Sequence, residues 1–253
     1  MPVAIEKRAR AAYLTFSRPP LNVFDLALLR ELGATLESLK GDESLNFLVL
    51  SGGGERAFSA GVDVGDHTRA RVPEMLDTVH GVMRTLFELP QVTVAAVRGA
   101  CLGGGCELAS CCDLVVASDE SFFATPEIDV GCYPPVALAR FWSEIGYHRA
   151  AEMILTGRRL SAQEALTLGL VNRVVPRAEL ERAVEELLEE LRQKSAAVLR
   201  IALRALREIA LRNFLAALKR SEDIYLRDLL ATEDVEEGVR AFLEKRKPFW
   251  KHR

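Results

Sequence analysis

Two glutamates in otherwise apolar stretches are the residues best placed to move protons. Glu107 stands among Leu102, Cys106, Leu108 and Ala109, and Glu127 follows Phe122-Phe123-Ala124-Thr125-Pro126. Burial disfavours the charged carboxylate, so each acid should keep its proton closer to neutral pH than a solvated one does, the range useful for acid–base catalysis. A glutamate in the first turn of a helix also has a purely structural use, because negative charge suits the positive end of the helix dipole. Spacing alone leaves both readings open.

Glu107 lies three residues after Gly104, in the run Gly103-Gly104-Gly105. Three glycines remove every Cβ from the turn, so backbone can approach a ligand and the free N–H groups of a helix start can point at it. That arrangement suits an anion or a developing oxyanion. A tight structural turn explains the glycines equally well. A phosphate cradle is less apt, since the chain lacks both G-x-x-x-x-G-K-[ST] and a G-x-G-x-x-G after its first strand. A second loop, Phe58-Ser59-Ala60-Gly61-Val62-Asp63-Val64, separates a strand-like segment from a helix-like one.

Positioning these loops requires an alternation of strands and helices. Val3–Glu6 and Ala11–Phe16 read as paired strands, and Asp25–Lys40 carries Leu26, Leu29, Leu32 and Leu36 at helical spacing. Asn46–Leu50 is a short apolar strand, closed by Gly52-Gly53-Gly54. Pro73–Glu88 is helical, with proline in the first turn where its missing N–H costs least. Val92–Val97 is an unbroken apolar run, as in a strand buried on both faces. A helix over Gly105–Cys112 and a strand over Leu114–Ala117 complete an α/β pattern with largely parallel strands. No sequence repeat of fixed period is evident.

From Pro135 onward the pattern is mostly helical, apart from a brief extended segment within Leu170–Val175. Pro176 opens a helix with Leu180, Val184, Leu187 and Leu191 on one stripe, and Ala196–Lys219 forms another that is apolar on more than one face. Such a helix needs partners on several sides, either within a helical subdomain or at a subunit interface. Thr232 is placed to cap a last helix whose first turn holds Glu233 and Asp234. The basic end (Lys245, Arg246, Lys247, Lys251, Arg253) is either solvated or a contact for a phosphorylated ligand.

The 253 residues are 49 % hydrophobic and 27 % charged, with a formal charge of −3. This balance gives no general attraction to nucleic acid or an acidic membrane surface. No apolar run approaches the ~20 residues that span a bilayer, and Val3 to Arg8 lacks the order of a signal peptide, so a cytoplasmic location is expected. There, Cys101, Cys106, Cys111, Cys112 and Cys132 should stay reduced. Their spacing lacks the paired rhythm of a zinc site and no histidine lies among them, so no metal is expected and small buried apolar side chains fit better.

Three segments in this order, FSAGVDV (58–64), AVRGACLGGGCELASCCD (96–113) and FATPEIDVG (123–131), resemble signature segments of the crotonase (enoyl-CoA hydratase/isomerase) superfamily. AAEMILTGRRLSAQEALTLGLV (150–171) and AFLEKRK (241–247) are similar to it as well, so the resemblance spans almost the whole chain. It implies a crotonase-like superhelix of repeated ββα units over residues 1–195. Residues 196–253 would then be a C-terminal helical region that assembles homotrimers or homohexamers.

The implied substrate is an acyl-CoA thioester, with coenzyme A arriving as part of it and no separate cofactor. By the same resemblance the backbone N–H groups of Val62 and Gly104 form an oxyanion hole, Glu107 activates water, and Glu127 handles the α-carbon proton. Ala60, Asp63, Val64 and Lys245 would contact the coenzyme. Keeping both acids implies hydration of an enoyl-CoA. Isomerisation of a β,γ-enoyl-CoA and a non-catalytic RNA-binding role are the other family outcomes, although no nucleic acid partner is expected here.

Two departures stand out. Cys132-Tyr133-Pro134-Pro135-Val136-Ala137 replaces the usual proline followed by glycines, so the family N–H that helps hold the water falls at Pro135, which has none. Together with PLNVFD (20–25) and GVDVGDH (61–67), that stretch is similar to the branch that hydrates cyclohexa-1,5-diene-1-carboxyl-CoA. His67 reads as a surface residue or, alternatively, as a polar group of such a pocket.

Overall fold

The computed structural model describes residues 2–253. Strands β1 (Val3–Arg8) and β2 (Ala11–Phe16) form an antiparallel hairpin, and helix α1 (Leu26–Leu39) follows with Asp25 as its cap, accepting a hydrogen bond from the Leu28 N–H at 2.8 Å. Leu28, Leu29, Leu32, Leu36 and Leu39 make the buried face of α1, as the leucine spacing requires.

The next three units share one plan. β3 (Phe47–Gly52), β5 (Val92–Val97) and β7 (Leu114–Ser118) extend the first sheet in parallel. After each comes a short strand that leaves it: β4 (Ala57–Ser59), β6 (Ala100–Leu102) and β8 (Phe122–Ala124). These pair side by side in parallel as a second sheet, with the two-residue β9 (Leu160–Ser161) antiparallel at its edge. The second parallel partner of β7, β10 (Arg173–Val175), closes the first sheet in the order β1-β2-β3-β5-β7-β10. The repeat is therefore spatial. It escapes a fixed sequence period because the intervening helices α2 (Val72–Glu88, 17 residues) and α3 (Gly104–Ser110, 7 residues) differ so much in length.

Helices α4 (Pro135–Glu144), α5 (Tyr147–Thr156), α6 (Ala162–Leu168) and α7 (Leu180–Arg192) cover the remaining core. α8 (Ala196–Arg227) runs eight residues past the expected Lys219, and α9 (Glu233–Leu243) ends the helical part. Arg207 of α8 is buried and grips Asp113 through Nε at 2.9 Å and Nη2 at 2.5 Å, while also donating to the carbonyls of Phe87, Leu89 and Gln91. Asp113 in turn accepts from the Thr93 N–H and hydroxyl. A buried pair with every donor and acceptor engaged ties α8 to the sheet; breaking one such partner costs about 3–5 kcal/mol.

Some details differ from the sequence reading. Thr232 precedes α9, but its hydroxyl bonds back to the Leu229 carbonyl and caps nothing. The basic end is partly neutralised: Arg246 pairs with Glu237 and Glu244, and Lys251 and Arg253 pair with Glu233. All five cysteines are buried free thiols, as expected of small apolar side chains. Among the described residues no three His, Cys, Asp or Glu side chains gather to hold a metal, and no helix is long and apolar enough to cross a membrane.

Candidate active site

The second sheet brings the two loops together. Because β4 pairs with β6, the loop leaving β4 (Ala60 to Asp63) lies beside the turn leaving β6 (Gly103 to Gly105). The first loop is tied down group by group: the Ala60 N–H donates to the Leu21 carbonyl, the Gly61 N–H to Ser59 Oγ, and the Asp63 N–H to the Phe24 carbonyl. The Val62 N–H between them has no acceptor among the described residues, and neither does the Gly104 N–H at the start of α3. An unpaired helix-start N–H is expected; an unpaired N–H inside a pinned loop is not.

The two N–H groups are close neighbours. A Cβ added to Gly104 would come within 2.9 Å of Val62 Cγ2 and 3.7 Å of the Val62 nitrogen. Gly103 is required for a different reason. Its φ of +51° is one that side chains rarely adopt, and a Cβ there would press on Glu127 Oε1 at 2.6 Å. Its N–H donates to the Ala124 carbonyl of β8, pinning the glycine turn to the strand that leads to Glu127.

Glu107 and Glu127 border one small cavity of about 20 Å³, the room of a single water, together with Val62, Gly104, Tyr133 and Pro135. Glu107 is buried, and its Oε1 accepts from the Val136 and Ala137 N–H groups at 2.8 and 2.9 Å, the first turn of α4. Burial raises its pKa, while those two N–H groups offset part of that by bonding the ionised form. Glu127 sits in a 3₁₀ turn (Pro126–Val130), and its Oε2 is buried with no hydrogen-bond partner. Burial first, and then the charge of Glu107, hold its carboxyl well above the usual carboxylate range. Burial thus raises both acids, but only Glu107 has its carboxylate held by N–H groups of another element, which draws the two apart, the separation that acid–base chemistry uses.

An outer cleft of about 380 Å³ meets the cavity at Val62, His67 and Glu127. Ala60, Val62 and Val64 line it, as do Phe242 and Arg246 from the C-terminal segment. Asp63 turns its side chain to the Gly65 N–H and does not line the cleft, and Lys245 lies exposed outside the lining of its own chain.

His67 is not a surface residue. It is buried at 8 % exposure, with Nδ1 3.1 Å from the Asp63 carbonyl, and burial lowers its pKa. A carbonyl can only accept, so Nδ1 carries the hydrogen and the neutral ring keeps Nε2 as an acceptor at the junction of cleft and cavity. Sequence reasoning missed four further neighbours of the cavity: His80 on α2, Tyr225 on α8, and the Val136 and Ala137 N–H groups. Only His80 left a signal, a polar residue among Leu76, Val79 and Met83 on the buried face of α2.

Comparison with known proteins shows which family the chain resembles in sequence and fold. Residues 6–253 match the family model described as enoyl-CoA hydratase/isomerase. A probable enoyl-CoA hydratase of Rhizobium meliloti (strain 1021) is 36 % identical over 260 residues, 98 % of this chain and 97 % of that one. The cyclohexa-1,5-dienecarbonyl-CoA hydratase of Thauera aromatica is 31 % identical over 251 residues, 99 % of this chain and 96 % of the other. The crystal structure of an enoyl-CoA hydratase from Mycobacterium avium subsp. paratuberculosis K-10 superposes with a TM-score of 0.89 at 28 % identity, covering 99 % of both chains.

Proposed function

The chain belongs to the enoyl-CoA hydratase/isomerase family and is a hydratase-like lyase, and on that premise we propose that Glu107 and Glu127 are its acid–base pair. The observation that carries this reading is two carboxyls bordering the same cavity, one held by two backbone N–H groups and one buried with Oε2 unpartnered, beside two unpaired N–H groups. Water gives a proton to Glu107 while its oxygen bonds to the β-carbon. The π pair moves to the α-carbon and thioester oxygen, where the Val62 and Gly104 N–H groups hold the developing charge. Glu127 then passes its proton to the α-carbon, leaving a β-hydroxyacyl thioester, and a proton exchanged between the acids restores the site.

The coenzyme portion lies along the outer cleft, against backbone at Ala60, Val62 and Val64, while Asp63 holds the loop through the Gly65 N–H. Lys245 meets a phosphate from a neighbouring subunit of a homotrimer or homohexamer. Support for assembly comes from α8, which leaves Val198, Ile201, Leu206 and Ile209 exposed.

For the acyl group we propose a compact, conjugated ring, cyclohexa-1,5-diene-1-carboxyl, in preference to a straight chain. Its support is the similarity to the Thauera aromatica protein and a cavity wall made of Tyr133, Pro134 and Pro135. Hydration of crotonyl-CoA is measured beside that of the cyclic dienoyl-CoA by loss of the conjugated thioester absorbance. A kcat/KM at least tenfold higher for the ring is expected. Faster turnover of crotonyl-CoA would overturn the ring assignment and leave a general enoyl-CoA hydratase.

A further inference from the structure

His80 lines the inner cavity with Glu107, yet the acid–base pair above gives it no role. Its Nδ1 lies 2.6 Å from Oε1 of Glu222, a residue of α8 whose side chain is 14 % exposed. Glu222 also faces Arg84 at 3.8 Å and Lys219 at 3.9 Å, and the bond from His80 is the main reason its pKa is lowered. An ionised carboxylate only accepts, so Nδ1 carries the hydrogen and Glu222 selects the tautomer. Among the described residues no group bonds Nε2 of His80.

A water in this cavity needs two or more polar partners to be held in one orientation. Glu107 supplies one, since Oε1 is occupied by the Val136 and Ala137 N–H groups and Oε2 is left to the cavity. The wall at Pro134 and Pro135 offers no N–H. Tyr133 is engaged elsewhere, its hydroxyl donating to the Ser221 carbonyl at 2.8 Å. A nucleophilic water is best held by two acceptors, one for each O–H, because its lone pair then stays free for the β-carbon.

We propose that His80 is the second acceptor for the attacking water, with Glu222 as the positioning residue that holds its Nδ1–H and turns Nε2 to the cavity. One O–H of the water points at Glu107 and is the bond that breaks; the other points at His80 and stays intact in the product hydroxyl. His80 moves no proton and needs no co-reactant. Through Glu222, helix α8 thus sets the orientation of the water in a site whose acids lie elsewhere in the chain.

This rests on the acid–base reading above, and the test separates the two. His80→Gln, Glu222→Ala and Glu107→Gln are each assayed for hydration and for exchange of the α-hydrogens of butyryl-CoA with D₂O. The exchange uses Glu127 and the thioester-binding N–H groups but no nucleophilic water. His80→Gln should lower kcat for hydration by about 10², the scale of a misoriented reacting group, with KM little changed. Glu222→Ala should lower it by about tenfold, the scale of one hydrogen bond. Both should exchange deuterium at the parent rate.

Hydration within twofold of the parent in His80→Gln, while Glu107→Gln is inactive, would overturn the role of His80 and leave the acid pair standing. Full hydration by Glu107→Gln would instead remove the acid pair. Equal loss of hydration and exchange in both His80→Gln and Glu222→Ala would also overturn the proposal, because the dyad would then hold the walls and not the water.

Discussion

Glu107 and Glu127 border the same cavity, but the walls behind them are built differently. Behind Glu107 stands the first turn of α4, which spends two N–H groups on one carboxylate oxygen. Behind Glu127 stands a short 3₁₀ turn that leaves Oε2 buried and unpartnered, with Gly103 facing Oε1 where a Cβ would come within 2.6 Å. Burial raises both acids; two N–H groups of α4 offset part of that for Glu107, while the charge of Glu107 adds to it for Glu127. Division of labour between two chemically identical side chains therefore comes from the backbone donors each one meets.

The largest test of that contrast is to neutralise each acid. Glu107→Gln and Glu127→Gln should each lower hydration by about 10²–10⁴, with thioester affinity retained. They should differ in α-hydrogen exchange of butyryl-CoA, which Glu107→Gln keeps and Glu127→Gln loses. Exchange lost in both would erase the distinction between the two walls.

Next in size is Gly103→Ala. A methyl group aimed at Glu127 Oε1 should displace that acid alone, lowering kcat by about 10², the scale of a 1 Å misplacement. The positive φ should add a stability loss of about 1–3 kcal/mol on chemical denaturation. An unchanged kcat would mean that the position of Glu127 is not set by the glycine turn.

The pH profile sharpens the comparison without mutation. Glu127 must be protonated to act, and its pKa is raised, so kcat/KM should fall on the alkaline side as it ionises. Glu107 must be ionised, so activity should fall on the acid side as it takes up a proton. In Glu127→Gln the alkaline limb should vanish from the residual activity while the acid limb remains. The reverse pattern would exchange the two roles.

The smallest expected effect lies outside the cavity. Lys245→Ala should raise KM by only a few-fold, the scale of an exposed ion pair, and leave kcat unchanged. A change in kcat instead would place Lys245 in the chemistry.

Much of the fold was legible in advance where one periodicity dominates. The α1 leucines, the unbroken β5 run and the α7 stripe all lie where their spacing put them. Thr232 was misread because its hydroxyl had a nearer partner, the Leu229 carbonyl, than the helix it precedes. α8 runs past the expected Lys219, and beyond that point Ser221 and Tyr225 are buried, Tyr225 at the cavity itself. His67 was misplaced because a single histidine in a loop carries no periodic signal, and only the packing around Asp63 and α9 encloses it.

The sequence by itself determined which residues can do chemistry: two glutamates in apolar runs, a glycine turn before a helix, and their order along the chain. Those are local properties, set by side-chain type and spacing. Tertiary structure decided which acid is held by backbone donors and which N–H groups stay free. It also decided that His80 and Glu222, 142 positions apart, form one dyad at the cavity. A pKa and an unpaired N–H depend on what else packs within a few ångströms, and most of those neighbours come from distant parts of the chain.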